Sequence, residues 1–122
     1  MNGDKYLSDT NAFIFLLDKH PSLKPLLDSE WHYSFITEIE LKGKFGISNQ
    51  KLRGIGGMLS ACFKEPYSEE INKITIALKQ EFKIKVPDAI IAATSIYKNL
   101  PLITFDKGFT SIKSLDLILL EL

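Results

Sequence analysis

The chain has 122 residues, of which 45% are hydrophobic, so it can bury one core and has no room for a second. Fifteen basic side chains balance fifteen acidic ones, which argues against nucleic-acid binding driven by net charge. No segment reads as a bilayer span or a secretory leader, so we expect a cytoplasmic, membrane-free protein with residues 1–122 forming one domain.

The cysteine and histidine content argues against disulfide and zinc chemistry. Cys62 is the only cysteine and has no partner for an internal disulfide, and the two histidines form no Cys/His set with zinc spacing. We interpret Cys62 as a small apolar filler rather than a nucleophile.

Short apolar runs alternate with helical patterns along the first half of the chain. Pro21 ends the first helical pattern, because the residue before a proline avoids helical backbone angles. The predicted elements are a strand over Lys5 to Ser8, a helix over Thr10 to Lys19, a short helical piece from Pro21 to near Asp28, and a strand over His32 to Ile36.

A capping pattern predicts the next helix. Thr37 is followed three residues later by Glu40, which is typical of a reciprocal cap over the first helical turn. Three glycines then weaken any helix between Gln50 and Lys64, so this region is predicted as one or two short helices with flexible joints.

The second half of the chain returns to clear periodicity. Its predicted elements are a helix from Ser68 to about Lys83, a helix from Asp88 to Lys98 with Pro87 in its first turn, and strands over Leu102 to Phe105 and Leu117 to Leu120. Strands that alternate with helices predict an α/β fold with a mainly parallel sheet covered on both faces.

Four acids follow predicted strands or begin predicted helices, namely Asp9, Glu40, Asp88 and Asp106. Functional groups of a parallel α/β sheet gather beyond the carboxyl ends of its strands, so we expect these carboxylates to meet. Their repulsion would raise their pKa values unless a cation compensated it. Oxygen ligands without histidine or cysteine indicate Mg²⁺ or Mn²⁺, which serve phosphoryl chemistry.

Each acid also has a purely structural interpretation. Asp9 could cap a helix, and Glu40 could do no more than complete the cap at Thr37. Asp88 could stabilise a helix N-terminus, and Asp106 could belong to a turn. The residues alone leave these interpretations open.

Four strings of the sequence resemble the signature blocks of PIN domains, in the order of that family. They are Tyr6-Leu7-Ser8-Asp9-Thr10-Asn11, Thr37-Glu38-Ile39-Glu40-Leu41, Pro87-Asp88-Ala89-Ile90-Ile91-Ala92-Ala93-Thr94 and Leu102-Ile103-Thr104-Phe105-Asp106-Lys107-Gly108-Phe109. The chain is most similar to the compact PIN toxins of the VapBC type, which are ribonucleases held inactive by an antitoxin.

The resemblance implies a three-layer α/β/α sandwich, a homodimer and an antitoxin that covers the active site. It also implies an endoribonuclease that depends on Mg²⁺ or Mn²⁺. Its metal-binding acids would be Asp9, Glu40, Asp88 and Asp106, supported by Thr10, Asn11 and Thr104. Glu38 is a lesser candidate than Glu40, and Gly108 stands where many relatives carry a further acid or Asn, which bears on a second metal site.

Contacts to RNA are predicted from local charge. The segment between Leu41 and Lys64 carries no acid, and it is as compatible with a solvated basic surface as with phosphate binding. Phe45 or Tyr67 could stack on an unpaired base. The candidate phosphate contacts are Lys42, Lys44, Lys51, Arg53 and Lys107.

Four alternatives compete with a toxin ribonuclease. A phosphoacceptor receiver domain has similar length but needs paired acids after its first strand, whereas Asp9 is followed by Thr10 and Asn11. Asn11 also breaks the Asp-x-Asp motif of a haloacid-dehalogenase-like phosphatase. A solitary PIN nuclease, or a binding module that lost catalysis, would keep the same fold.

Overall fold

The computed structural model describes residues 4–19 and 21–121, apart from the side chain of Lys24, so residues 1–3, 20 and 122 of the predicted domain lie outside the described part. The described strands form one sheet in the order β3-β2-β1-β4-β5, and every neighbouring pair is parallel. The strands are Lys5–Ser8 (β1), Glu30–Ser34 (β2), Phe63–Glu65 (β3), Leu102–Thr104 (β4) and Leu117–Leu119 (β5).

The helices connect the parallel strands. The α-helices are Thr10–Leu17 (α1), Phe35–Lys42 (α2), Asn49–Ser60 (α3), Glu69–Glu81 (α4) and Val86–Lys98 (α5), and two 3-10 helices span Pro21–Leu26 and Lys107–Ser111. Within the described ranges, no helix has the length and apolar character that crossing a membrane would need.

Both faces of the sheet are covered, because successive side chains of a strand point to opposite faces. Leu7 and Leu102 belong to a core cluster with residues of α4 and α5. On the opposite face, Ile103 and Trp31 pack with residues of α1, and Tyr33 packs with buried residues of α1 and α3. The predicted three-layer α/β/α sandwich with a parallel sheet is therefore confirmed.

The helix after β2 begins earlier than the sequence pattern predicts. Ser34 is its N-cap, and the Ser34 hydroxyl accepts a hydrogen bond of 3.2 Å from the backbone N–H of Ile36. Thr37 lies inside α2 and is fully buried, so the predicted cap of Thr37 and Glu40 is wrong. The spacing is misleading because Thr37 uses its hydroxyl in a contact with α1, described below.

The region from 50 to 64 differs most from its prediction. One continuous helix, α3, replaces the predicted short helices with flexible joints, and the edge strand β3 follows it. Ser48 caps α3 by accepting a hydrogen bond of 3.1 Å from the backbone N–H of Lys51. Burial of Ile55 and Leu59 against the sheet outweighs the low helix propensity of the glycines.

The order of the strands fixes the place of the functional crevice. β1 lies between β2 and β4, so the chain leaves β1 toward one side of the sheet and reaches β4 on the other side. Ligands of such sheets bind at this reversal, outside the carboxyl ends of the two strands. Asp9 follows β1 directly, and Asp106 follows β4 after one residue.

Candidate functional site

Asp9 is the most buried of the four predicted acids. Its side chain is the N-cap of α1, and its Oδ1 accepts a hydrogen bond of 2.7 Å from the backbone N–H of Ala12. Burial raises the pKa of Asp9 to about 6, and the negative charges of Asp88 and Asp106 contribute to the rise. Asp9 therefore caps a helix and also carries a poorly compensated negative charge.

Thr104 joins the ends of the two central strands. Its hydroxyl donates to Oδ2 of Asp9 and accepts a hydrogen bond of 2.9 Å from the backbone N–H of Asp106. This donation lowers the pKa of Asp9, although less than burial raises it. The side chain of Asp106 accepts a hydrogen bond of 2.8 Å from the N–H of Gly108 and so caps the 3-10 helix that follows.

Asp88 enters the crevice from the first turn of α5. Burial raises its pKa, and the negative charges of Asp106 and Glu40 raise it further, while Lys85 lowers it. Asp88 thus links Glu40 electrostatically to the acids at the ends of β1 and β4. Asp88 is thus the acid through which the four predicted carboxylates are electrostatically connected.

Glu40 is held from the N-terminus of α1. The hydroxyl of Thr10 donates a hydrogen bond of 2.6 Å to Oε1 of Glu40 and lies 3.1 Å from the hydroxyl of Thr37. Thr10 has a single hydroxyl proton and gives it to the carboxylate, so Thr37 is the donor in the second contact. Thr10 and Thr104 therefore each hold one acid, and their functional importance stays a prediction.

Glu38 points away from this group. Its carboxylate accepts from Lys42 at 2.8 Å and from Lys64 at 2.8 Å, and these two hydrogen bonds lower the pKa of Glu38. Two ammonium groups therefore already compensate the negative charge of Glu38. Of the two glutamates in α2, Glu40 is the one that joins the acids.

Two hollows flank Asp106. One, of about 350 Å³, is lined by Asn11, Ile14, Phe15 and Phe105 in addition to Asp106, and the rings of Phe15 and Phe105 pack edge to face at 4.8 Å. The other, of about 260 Å³, is lined by Lys83, Ile84, Lys85, Asp88, Asp106, Gly108 and Phe109. A larger hollow of about 590 Å³ opens between α1, α3 and β2, away from the four acids.

The basic residues predicted to contact RNA lie outside the two hollows beside Asp106. Lys42 is engaged with Glu38, while Lys44, Lys51, Arg53 and Lys107 are exposed. None of these residues lines either hollow beside Asp106 in the described part of the chain. Lys83 and Lys85 do line one, and the sequence analysis missed them. They lie only a few residues before the Pro87-Asp88 block, and this closeness in sequence could have marked them as candidates.

The candidate stacking residues differ in support. Tyr67 follows the carboxyl end of β3 and packs edge to face against Phe35 at 6.2 Å. Phe45 is fully exposed in the loop between α2 and α3. Tyr67 lies at the carboxyl edge of the sheet, where the acids also lie, whereas Phe45 does not follow a strand.

The donor chemistry of the crevice fits a hard divalent cation. Its acids offer oxygen atoms, which hard divalent cations prefer. Burial first, and neighbouring carboxylates second, raise the pKa values of Asp9 and Asp88, and a bound cation would offset both effects. Among the described residues, however, no three His, Cys, Asp or Glu side chains already stand together as a set that could hold an ion.

The sequence model of the PIN domain family matches residues 6–115. The chain belongs to the PIN domain family. The match covers all four acids and the strands and helices that carry them. PIN domains are nucleases, so the family agrees with the hydrolase chemistry that the acids predict.

Several solved structures are similar to this PIN domain in sequence and fold. A toxin–antitoxin complex from Klebsiella pneumoniae contains a chain 32% identical, with a TM-score of 0.80, and the alignment covers 96% of this chain and 99% of that one. VapBC-1 from nontypeable Haemophilus influenzae is 28% identical, with a TM-score of 0.79 and coverage of 94% and 97%. The predicted likeness to PIN domains of the VapBC type is confirmed.

A more distant relative shares the fold. VapBC2 from Rickettsia felis, in a structure with a DNA fragment from its promoter, is 24% identical, with a TM-score of 0.76 and coverage of 93% of this chain and 97% of that one. Comparison of the PIN domain with curated protein sequences gives no significant match.

Proposed function

We propose that this PIN domain is a metal-dependent endoribonuclease and the toxin of a toxin–antitoxin pair. The proposal is supported chiefly by the electrostatic coupling of Asp88 to Asp9, Glu40 and Asp106, since Asp9 and Asp106 follow the two strands at which the strand order reverses. Convergence of four acids without histidine or cysteine favours phosphodiester hydrolysis with a hard cation.

Asp9 and Asp88 are proposed as the primary ligands of Mg²⁺ or Mn²⁺, with Glu40 and Asp106 completing the site. When bound, the cation would lower the pKa of the attacking water and neutralise charge on the phosphate. The protein's own groups prepare this site. Thr104 fixes the orientation of Asp9, and Thr10 fixes that of Glu40.

The receiver-domain alternative disagrees with the topology. Receiver domains have the strand order 2-1-3-4-5, in which the third strand lies beside the first. In this chain β3 lies at the edge of the sheet and β4 takes the place beside β1. Phosphoacceptor signalling is therefore not retained as a second function.

Purified protein tests the nuclease proposal directly. We expect cleavage of a fluorescent single-stranded RNA with Mg²⁺ or Mn²⁺, no cleavage with EDTA, and much weaker cleavage of the DNA of the same sequence. Asp9→Ala should abolish activity, whereas Asp116→Ala, which removes an exposed acid before β5, should not. Equal activity of wild type and Asp9→Ala would contradict the proposal.

The proposed partners rest on the relatives, which are chains of toxin–antitoxin and VapBC complexes. We propose an antitoxin encoded beside this gene and a homodimeric PIN domain in the cytoplasm. The neighbouring gene product should copurify with the chain and inhibit RNA cleavage. Light scattering of the purified chain should give twice the mass of 13.8 kDa.

A further inference from the structure

One hollow beside the acids carries charges of both signs. The acids Asp88 and Asp106 line it together with Lys83 and Lys85. A phosphodiester bound at a carboxylate-held cation still presents negative oxygen atoms on its other side, where ammonium groups would stabilise them. The hollow on the other side of Asp106 is lined by aromatic and aliphatic side chains and Asn11 and has no lysine.

We propose that Lys83 and Lys85 bind the phosphate of the substrate next to Asp88 and Asp106, an inference that rests on the proposed nuclease function. The charge of Lys85 reaches the acids, because it lowers the pKa of Asp88. Both lysines are exposed to solvent and therefore accessible to a polynucleotide.

The two lysines also have charge available for a ligand. Within residues 4–19 and 21–121, neither forms an ion pair with a carboxylate within 4.0 Å. Lys42 and Lys64 differ in this respect, since both are paired with Glu38. An RNA phosphate would have to displace that carboxylate to reach Lys42.

The segment that carries the lysines is fixed on both sides. Lys79 of α4 donates a hydrogen bond of 2.6 Å to the carbonyl oxygen of Ile84, which lies between them. The side chain of Ile84 packs against the core cluster under α4 and α5. Pro87 fixes the backbone at the first turn of α5. The segment is thus held in place before the substrate arrives.

The test compares two double variants that each remove two positive charges. Lys83→Ala with Lys85→Ala should lower kcat/KM for single-stranded RNA about tenfold at low salt. Because each lost phosphate contact to a single strand reduces the salt slope by about 0.7, the slope of log kcat/KM against log salt should become shallower by about 1.4. Lys73→Ala with Lys113→Ala removes exposed charges outside both hollows and should change neither quantity.

Conservative variants keep the test decisive. Lys83→Arg with Lys85→Arg should retain most activity and the wild-type salt slope, because the charges remain. If the alanine variant unfolds, Lys83→Gln with Lys85→Gln removes the charges at similar side-chain length and must show the same loss. Equal kinetics of the charge-removing and control variants would overturn the lysine site while leaving the nuclease intact, whereas an inactive wild type would overturn the proposed function itself.

Discussion

Thr104 donates its hydroxyl proton to Asp9 across the boundary between β4 and β1, the two strands whose carboxyl ends form the crevice. The same hydroxyl accepts from the backbone N–H of Asp106. One side chain thereby sets the position of two acids. Its hydrogen bond also keeps Asp9 more acidic than burial alone would.

Removal of this hydroxyl should move the pH dependence of cleavage. In Thr104→Val, the pKa of Asp9 should rise above its value of about 6, because the hydrogen bond that lowers it is lost. The acidic limb of the pH–rate profile should shift to higher pH, and the rate at pH 7 should fall about tenfold. Thr75→Val is the matched control, since Thr75 is also buried but donates to Ile71 O within α4. An unchanged acidic limb in Thr104→Val would refute the assignment.

Asp9 should make the metal-free protein less stable as the pH rises. Its folded pKa of about 6 lies above the ordinary value of 3.8, so between these values the folded state binds more protons than the unfolded state. Its contribution to stability is complete below pH 3.8 and is lost as the pH rises through 6. Two pKa units correspond to at most about 3 kcal/mol.

Urea denaturation of Asp9→Asn without metal tests this sign. Relative to wild type, the variant should gain about 1 to 3 kcal/mol of unfolding free energy between pH 4 and pH 7.5. Asp116→Asn, which changes an exposed acid, should show no comparable change with pH. A pH-independent difference between Asp9→Asn and wild type would show that Asp9 titrates normally.

The two glutamates of α2 provide a comparison within one helix. Glu40→Gln should reduce cleavage at least tenfold, because Glu40 belongs to the acid group and is held by Thr10. Glu38→Gln should keep wild-type activity and lose at most about 1 kcal/mol of stability, since it breaks partly exposed ion pairs to Lys42 and Lys64. Initial rates on the same RNA decide between them. The assignment of Glu40 fails if Glu38→Gln is the more impaired variant.

Divalent metal should stabilise the protein through the acid group. At pH 7.5, Mg²⁺ at 100 times its dissociation constant should add about 2.7 kcal/mol to the unfolding free energy. The gain should shrink at pH 5, because protonated Asp9 competes with the metal. In Asp88→Asn the gain should largely disappear. A thermal shift with Mg²⁺ that is the same in this variant and in wild type would place the ion elsewhere.

The glycines of α3 should tolerate alanine. A Cβ at Gly57 would meet no atom within 4 Å, so Gly57→Ala should raise stability by about 0.5 to 1 kcal/mol through better helix propensity. Gly46→Ala should do the reverse, because Gly46 has a φ of +74° that a side chain disfavours. Denaturant midpoints of the two variants should therefore move in opposite directions.

The sequence predicted the elements whose side chains are strongly patterned. β1 and its following acid were correctly placed, as was the helix capped by Ser68, because apolar periodicity and caps are local signals. β3 was missed because Phe63, Lys64 and Glu65 form a three-residue edge strand without an apolar run. Its pairing with β2 depends on contacts distant in sequence, which no local pattern encodes.

The site was predicted less evenly. The four acids were proposed because each lies in a recognisable block, and their role stays a prediction. The cap at Ser34 was wrongly assigned to Thr37, whose spacing to Glu40 imitates a capping box. Lys83 and Lys85 carry no motif of their own. They line the crevice because the segment between α4 and α5 is held in place at Ile84, and only the tertiary structure reveals this.

Because β1 lies between β2 and β4, the group of acids can be completed only late in the synthesis of the chain. Asp9 is made early in translation, but its partner Thr104 follows 95 residues later. A nascent chain that has reached the end of α5 would already carry three of the four acids and still have no complete catalytic centre. Strand β4 must therefore leave the ribosome before Thr104 and Asp106 can join the acids made earlier.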